Sequence, residues 1–132
     1  MVNSRAKGAR GEREWAKVCG EHGYGEARRG QQFCGSNGDA DVVGIPGIHC
    51  EVKRVEKLNI DTAMKQAVGD APDGETPVVC HRKNGKEWLV TMRANDWFEM
   101  VNANAVSEAG YKALIEAFEE SERARAEEEA RT

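Results

Sequence analysis

The chain contains no apolar run long enough to cross a bilayer, which excludes a transmembrane helix. Its opening stretch, MVNSRAKGARGERE, lacks the apolar segment of a secretory leader, so a cytoplasmic protein with no membrane partner is expected. No CxxC pair occurs, and the four cysteines (Cys19, Cys34, Cys50 and Cys80) lie far apart. Cys19, Cys50 and Cys80 stand where apolar residues are expected, and they read as reduced core residues. His49-Cys50 and Cys80-His81 are sequence neighbours, but adjacent strand residues face opposite ways, which argues against zinc. Internal repeats are absent as well.

What is present is an ordinary polar-surfaced chain of 132 residues, 39% hydrophobic and 32% charged, with room for one modest core. The net charge of −4 conceals an asymmetry. Residues 1–93 carry 15 basic and 13 acidic side chains, a net of +2, while residues 94–132 carry 4 and 10, a net of −6. The acid is concentrated at the C-terminal end, and local charge governs binding more than the total does. A polyanionic partner for the first 93 residues therefore stays open.

Periodicity predicts the elements. Residues 4–22 form a helix with the apolar stripe Trp15, Ala16, Val18 and Cys19. At about 100° per residue Glu12 falls within that stripe and Glu14 outside it; Glu14 becomes the inward acid if the helix is rotated. Arg10, Arg13, Lys17 and Glu21 share the solvated face. A first strand is expected over 26–34, then the polar loop GSNGDA, then strands near 41–45 and 48–54 around the turn GIPG. In the second of these, Ile48, Cys50 and Val52 alternate with His49, Glu51 and Lys53, as in a half-buried strand. Asp61 is expected to cap a helix over about 62–70. TPVVCHR and KEWLVTM form a hairpin around Asn84-Gly85, with Trp88 in the core. A short helix should end near Val101, and another should start near Ser107 with the stripe Tyr111, Leu114, Ile115 and Phe118. Beyond Glu119 the chain is a solvated helix extension or a disordered acidic tail. This order predicts an α/β or α+β mixed sheet of about five strands flanked by helices. The domain assignment is 1–104, with a C-terminal helix and acidic tail over 105–132.

Three features converge on chemistry. Glu12 faces inward, Asp41 opens a strand after a Gly-rich loop, and Glu51 and Lys53 share one face of the next strand. Carboxylates with few imidazoles suit Mg²⁺, with Mn²⁺ as a substitute. Such an ion activates water and offsets charge on a phosphoryl group, while Lys53 is placed to assist at the same centre. A plain Glu51–Lys53 surface ion pair is the simplest competing explanation of that strand.

Asp41, Glu51 and Lys53 in D-(x)9-E-x-K spacing resemble the core of the PD-(D/E)XK nucleases. A basic N-terminus, GERE on a helix, RRGQQF, SNGDADVVG, HCEVKR, AMKQA and PVVCHRKNGKEWLV follow in the order of archaeal-type Holliday junction resolvases and their phage-encoded relatives. The likeness covers roughly residues 3–101. It implies a restriction-endonuclease-like fold and a Mg²⁺-dependent endodeoxyribonuclease that hydrolyses phosphodiester bonds of branched or duplex DNA. It places Glu12, Asp41 and Glu51 as metal-binding acids and Lys53 as the catalytic lysine, with Gln66 and Ser36 in support. Arg5, Lys7, Arg10, Arg28 and Arg29 are the expected DNA contacts. Symmetric cutting of two strands implies a C₂ homodimer, with a role in recombination, repair or phage DNA processing and no small-molecule cofactor. One departure is Ala40, which stands where the pattern has proline, and Asp39 lies beside the ligand position. A nuclease for nicks or flaps, or a non-catalytic DNA-binding module with a relict site, are the alternatives.

Overall fold

The structure is a computed structural model describing residues 4–31 and 40–131, and the side chains of all of these but Ser4, Arg5, Ala6 and Val106. Cys34, Ser36, Asp39, most of the GSNGDA loop and the end of the expected first strand lie outside the described residues, as does the side chain of Arg5. The chain divides into two compact units, Met1–Arg93 and Ala94–Thr132.

The first unit runs α1 (Ser4–Glu21), β1 (Arg28–Arg29), β2 (Val42–Val43), β3 (Ile48–Arg54), α2 (Ile60–Asp70), β4 (Thr76–Arg82) and β5 (Leu89–Met92). The strands form one mixed sheet in the order β1-β2-β3-β4-β5. Among the described residues only β3 and β4 pair in parallel, and α2 is the crossover between them. With its helices this is an α+β architecture, and it bears out the mixed five-stranded sheet expected from the sequence.

The turn between β2 and β3 depends on glycine. Gly44 has a φ of 102°, and a Cβ there would stand 2.4 Å from the Glu26 carbonyl oxygen. The β4–β5 hairpin turns at Asn84-Gly85, as expected, with Lys86 N donating to Lys83 O at 3.2 Å. Asn59, not Asp61, caps α2: its Oδ1 accepts from Thr62 N at 3.1 Å. The helix starts earlier than expected because Ile60, with Leu58 and Met64, packs on the cluster Ala63, Ala67 and Val79.

The central strands are covered on both faces. Val42, Cys50, Val52, Val78 and Cys80 form the core on one face, against Trp15 and Ala16 of α1 and against Trp88. The Trp15 and Trp88 rings are 5.0 Å apart. Val79 on the other face packs against Ala63 and Ala67 of α2. The alternation in β3 therefore separates two buried faces, as a parallel crossover requires, and does not separate core from solvent. Cys19, Cys50 and Cys80 are buried free thiols, and burial, with Cys50 second, pushes the Cys19 thiol up to about 11.

The second unit is one helix, α3 (Ala94–Arg131), and not the two separate helices expected from the sequence. It runs unbroken through the expected boundary at 104/105, because residues 102–106 contain neither glycine nor proline. Tyr111, Leu114, Ile115 and Phe118 lie exposed along it. Among the described residues no helix is long and apolar enough to cross a membrane.

Candidate functional site

A cleft of about 280 Å³ lies where α1, β3 and α2 meet. Glu12, Asp41, Glu51, Lys53 and Gln66 all line it, together with Lys7. These residues span 60 positions of sequence, and each is delivered by a different local device.

Asp41 is pinned between strands. Its backbone N donates to Cys50 O at 3.0 Å, and its carbonyl accepts from Gly30 N at 3.0 Å. Its Oδ2 accepts from Val52 N at 2.8 Å, so the carboxyl leans across β3. Glu51 is only 4% exposed. Burial first, then the charge of Asp41 and a hydrogen bond with it, pushes its carboxyl from 4.5 up to about 8; Lys53 opposes the shift and Asp70 adds to it. His49 Nε2 lies 3.3 Å from Glu51 Oε1.

Lys53 Nζ donates to Gln66 Oε1 at 3.3 Å. Ala63 and Ala67 face the sheet and seat α2 close to it, which brings Gln66 to the cleft. The helix glutamine is thus in contact with the lysine. On α1, Gly11 lets the helix approach β3: a Cβ there would be 2.6 Å from Arg54 Cβ. Glu12 then reaches the cleft, where its Oε2 accepts from Arg29 Nε at 2.7 Å. Glu14 is turned elsewhere. It pairs with Arg82 and, at 3.7 Å, with Arg54 Nε, in a second hollow lined by Lys7, Arg10, Gly11, Arg54 and Asn84.

Of the expected DNA contacts, Lys7 lines both hollows, Arg10 lines the second, and Arg28 and Arg29 flank a third beside Arg13 and Lys17. Arg29 is already engaged with Glu12. Two residues were not singled out for the site from the sequence. Arg54, whose Nη1 donates to Asn84 Oδ1 at 2.7 Å, lines both the cleft and the second hollow. His49 stands behind Glu51. Its spacing of two from Glu51 on one strand was the available signal, because it puts both side chains on the same face. A larger cavity, about 1050 Å³, lies between the β3–α2 loop and the β4–β5 hairpin and is lined by none of Glu12, Asp41 and Glu51.

The donor set fits a hard divalent cation. Among the described residues no three His, Cys, Asp or Glu side chains form a ready metal cage. Mg²⁺ does not need one, since it is commonly held by one or two carboxylates, waters and substrate phosphate. Asp41 and Glu51 are such a pair: two carboxyls in contact, one of them buried and kept protonated by its surroundings. A cation held at the cleft would favour the ionised form of Glu51. Asp41 and Glu51 would hold it, with Glu12 on the same cleft wall. Comparison of the chain with protein-family models, with curated proteins and with solved structures finds no match.

Proposed function

We propose that the chain is a metal-dependent DNA endonuclease of PD-(D/E)XK type, with a restriction-endonuclease-like fold around its mixed sheet. The observation that carries this reading is the contact of the Asp41 and Glu51 carboxyls in one cleft with Lys53 and Glu12. A surface ion pair does not account for it. Glu51 is buried, and Lys53 bonds to Gln66 beside two further acids.

A cation held by these acids would supply water activation and charge neutralisation. The chain's own residues do the rest. Asp41 and Glu51 present oxygens from adjacent strands. Gln66 holds Lys53, and the ammonium stabilises charge gathering on the phosphate as a water oxygen adds to phosphorus and the P–O bond to the leaving sugar breaks. The attacking water gives up a proton to solvent and the leaving oxygen takes one up from solvent, so the hydrolysis is balanced. Lys7, Arg10 and Arg54 lie along two adjoining hollows and suit the flanking phosphates.

The finer reading is a resolvase-like enzyme that acts on branched DNA as a C₂ homodimer, in recombination, repair or phage DNA processing. It rests on the order of sequence motifs. The test is cleavage of a labelled four-way junction beside linear duplex, single strand and flap, with Mg²⁺ and with EDTA. Wild type should cut only with metal, and Asp41→Asn and Lys53→Ala should be folded and inactive. Full activity in either variant removes the site assignment. Metal-dependent cutting of another substrate keeps the site and discards the resolvase reading.

A further inference from the structure

We propose that His49 is a positioning residue for the cleft acids: buried beside Glu51, its imidazole holds the Glu51 carboxyl toward Asp41. The proposal rests on the metal-dependent reading above. His49 and Glu51 are 2% and 4% exposed, and among the described residues they are the buried polar side chains of the core. They are also bonded to each other, at 3.3 Å from Nε2 to Oε1. Burying an imidazole costs free energy unless its nitrogens are partnered. An aliphatic side chain would satisfy this position of β3, which lies beside Pro77 of β4, as one does at Val52 and Val79.

The geometry explains the expense. Glu51 is two residues along the same strand face, so the imidazole and the carboxyl lie side by side, with no loop between them to relax. Asp41 meets the same carboxyl from β2's end of the sheet and is itself fixed by Val52 N. The Glu51 carboxyl is therefore held between an imidazole and a second carboxyl. An ionised carboxylate offers acceptors only, so with a cation bound His49 carries its proton on Nε2 and donates it to Oε1. Partners of this kind orient ligating carboxylates, and their loss typically weakens metal binding about 10–100-fold.

The experiment is calorimetric titration of Mn²⁺ alone, without DNA, into wild type, His49→Leu and His49→Gln. The temperature is chosen so that each is fully folded by circular dichroism. Glutamine carries an amide N–H at a similar reach to Nε2, while leucine fills space without a donor. The expected result is a loss of about 10–100-fold in Mn²⁺ affinity for His49→Leu and substantial recovery for His49→Gln. Should the leucine variant not fold, His49→Asn replaces it, because its shorter amide stops near Nδ1 and should show the same loss. Long-range ¹H–¹⁵N spectra of the Mg²⁺-loaded wild type should show the proton on Nε2. Mn²⁺ binding by the donor-less variant as tight as by wild type overturns the role of His49 alone. Absence of Mn²⁺ binding by wild type overturns both that role and the metal-dependent reading.

Discussion

Replacing Glu51 by glutamine keeps the shape of the side chain and removes its titration. The Glu51 carboxyl is raised from 4.5 to about 8, chiefly by burial and then by Asp41. Below the unfolded value it is neutral in both the folded and the unfolded chain, and its contribution to stability is fully present. As pH rises from 4.5 toward 8, the unfolded chain ionises and the folded chain does not, so stability falls; above about 8 the loss is complete. At about 1.4 kcal/mol per tenfold, the ceiling on that loss is roughly 5 kcal/mol. This is a large share of the roughly 5–15 kcal/mol that stabilises a domain. Metal-free Glu51→Gln should therefore gain on wild type between pH 4.5 and about pH 8 and level off on either side. Each kcal/mol moves the melting midpoint of a domain this size by about 4–8 °C, well within reach of thermal unfolding in EDTA. If Asp41 and Glu51 hold the ion as proposed, adding Mn²⁺ at pH 8 should raise the midpoint of wild type and leave that of the variant nearly unmoved. A stability difference that stays flat across the pH range would refute the buried, protonated Glu51 on which the metal argument depends.

Two glycines of α1 should respond in opposite directions. Gly8→Ala meets nothing within 4 Å among the described residues and should stabilise by about 0.5–1 kcal/mol in urea unfolding. Gly11→Ala drives a Cβ to 2.6 Å from Arg54 Cβ and should cost about 1–3 kcal/mol despite the better helix former. It should also lower cleavage by lifting Glu12 from the cleft; equal stabilisation by both changes would count against the close approach of α1 to β3. At the start of α2, Asn59→Ala should cost about 1 kcal/mol and Asp61→Ala only a few tenths, again read by urea unfolding. The reverse order would return the cap to Asp61.

Much of the candidate site is legible from local pattern. The 100° step along α1 separates Glu12 from Glu14, and the structure puts Glu12 in the cleft and Glu14 on Arg82. Period two in β3 aligns His49, Glu51 and Lys53 on one face, and the glycines of GIPG and Asn84-Gly85 mark both turns. The cap of α2 and the single helix α3 depart from expectation for a different reason. Asn59 and Asp61 are both good caps by chemistry, and the packing of Ile60 decides between them. The segment between Val101 and Ser107 has no apolar stripe, yet an absent stripe does not stop a helix that meets no breaker.

The sequence by itself determined what depends on neighbours a few residues away: the order of elements, the turns and the faces on which the acids stand. Tertiary structure alone decided that the polar face of β3 is buried under α2, because the parallel β3–α2–β4 crossover covers both sides of those strands. From that burial come the protonated Glu51, its bond to His49 and the contact of Lys53 with Gln66. Desolvation and partnering are properties of the space around a side chain. In this cleft that space is assembled from residues as far apart as Lys7 and Gln66.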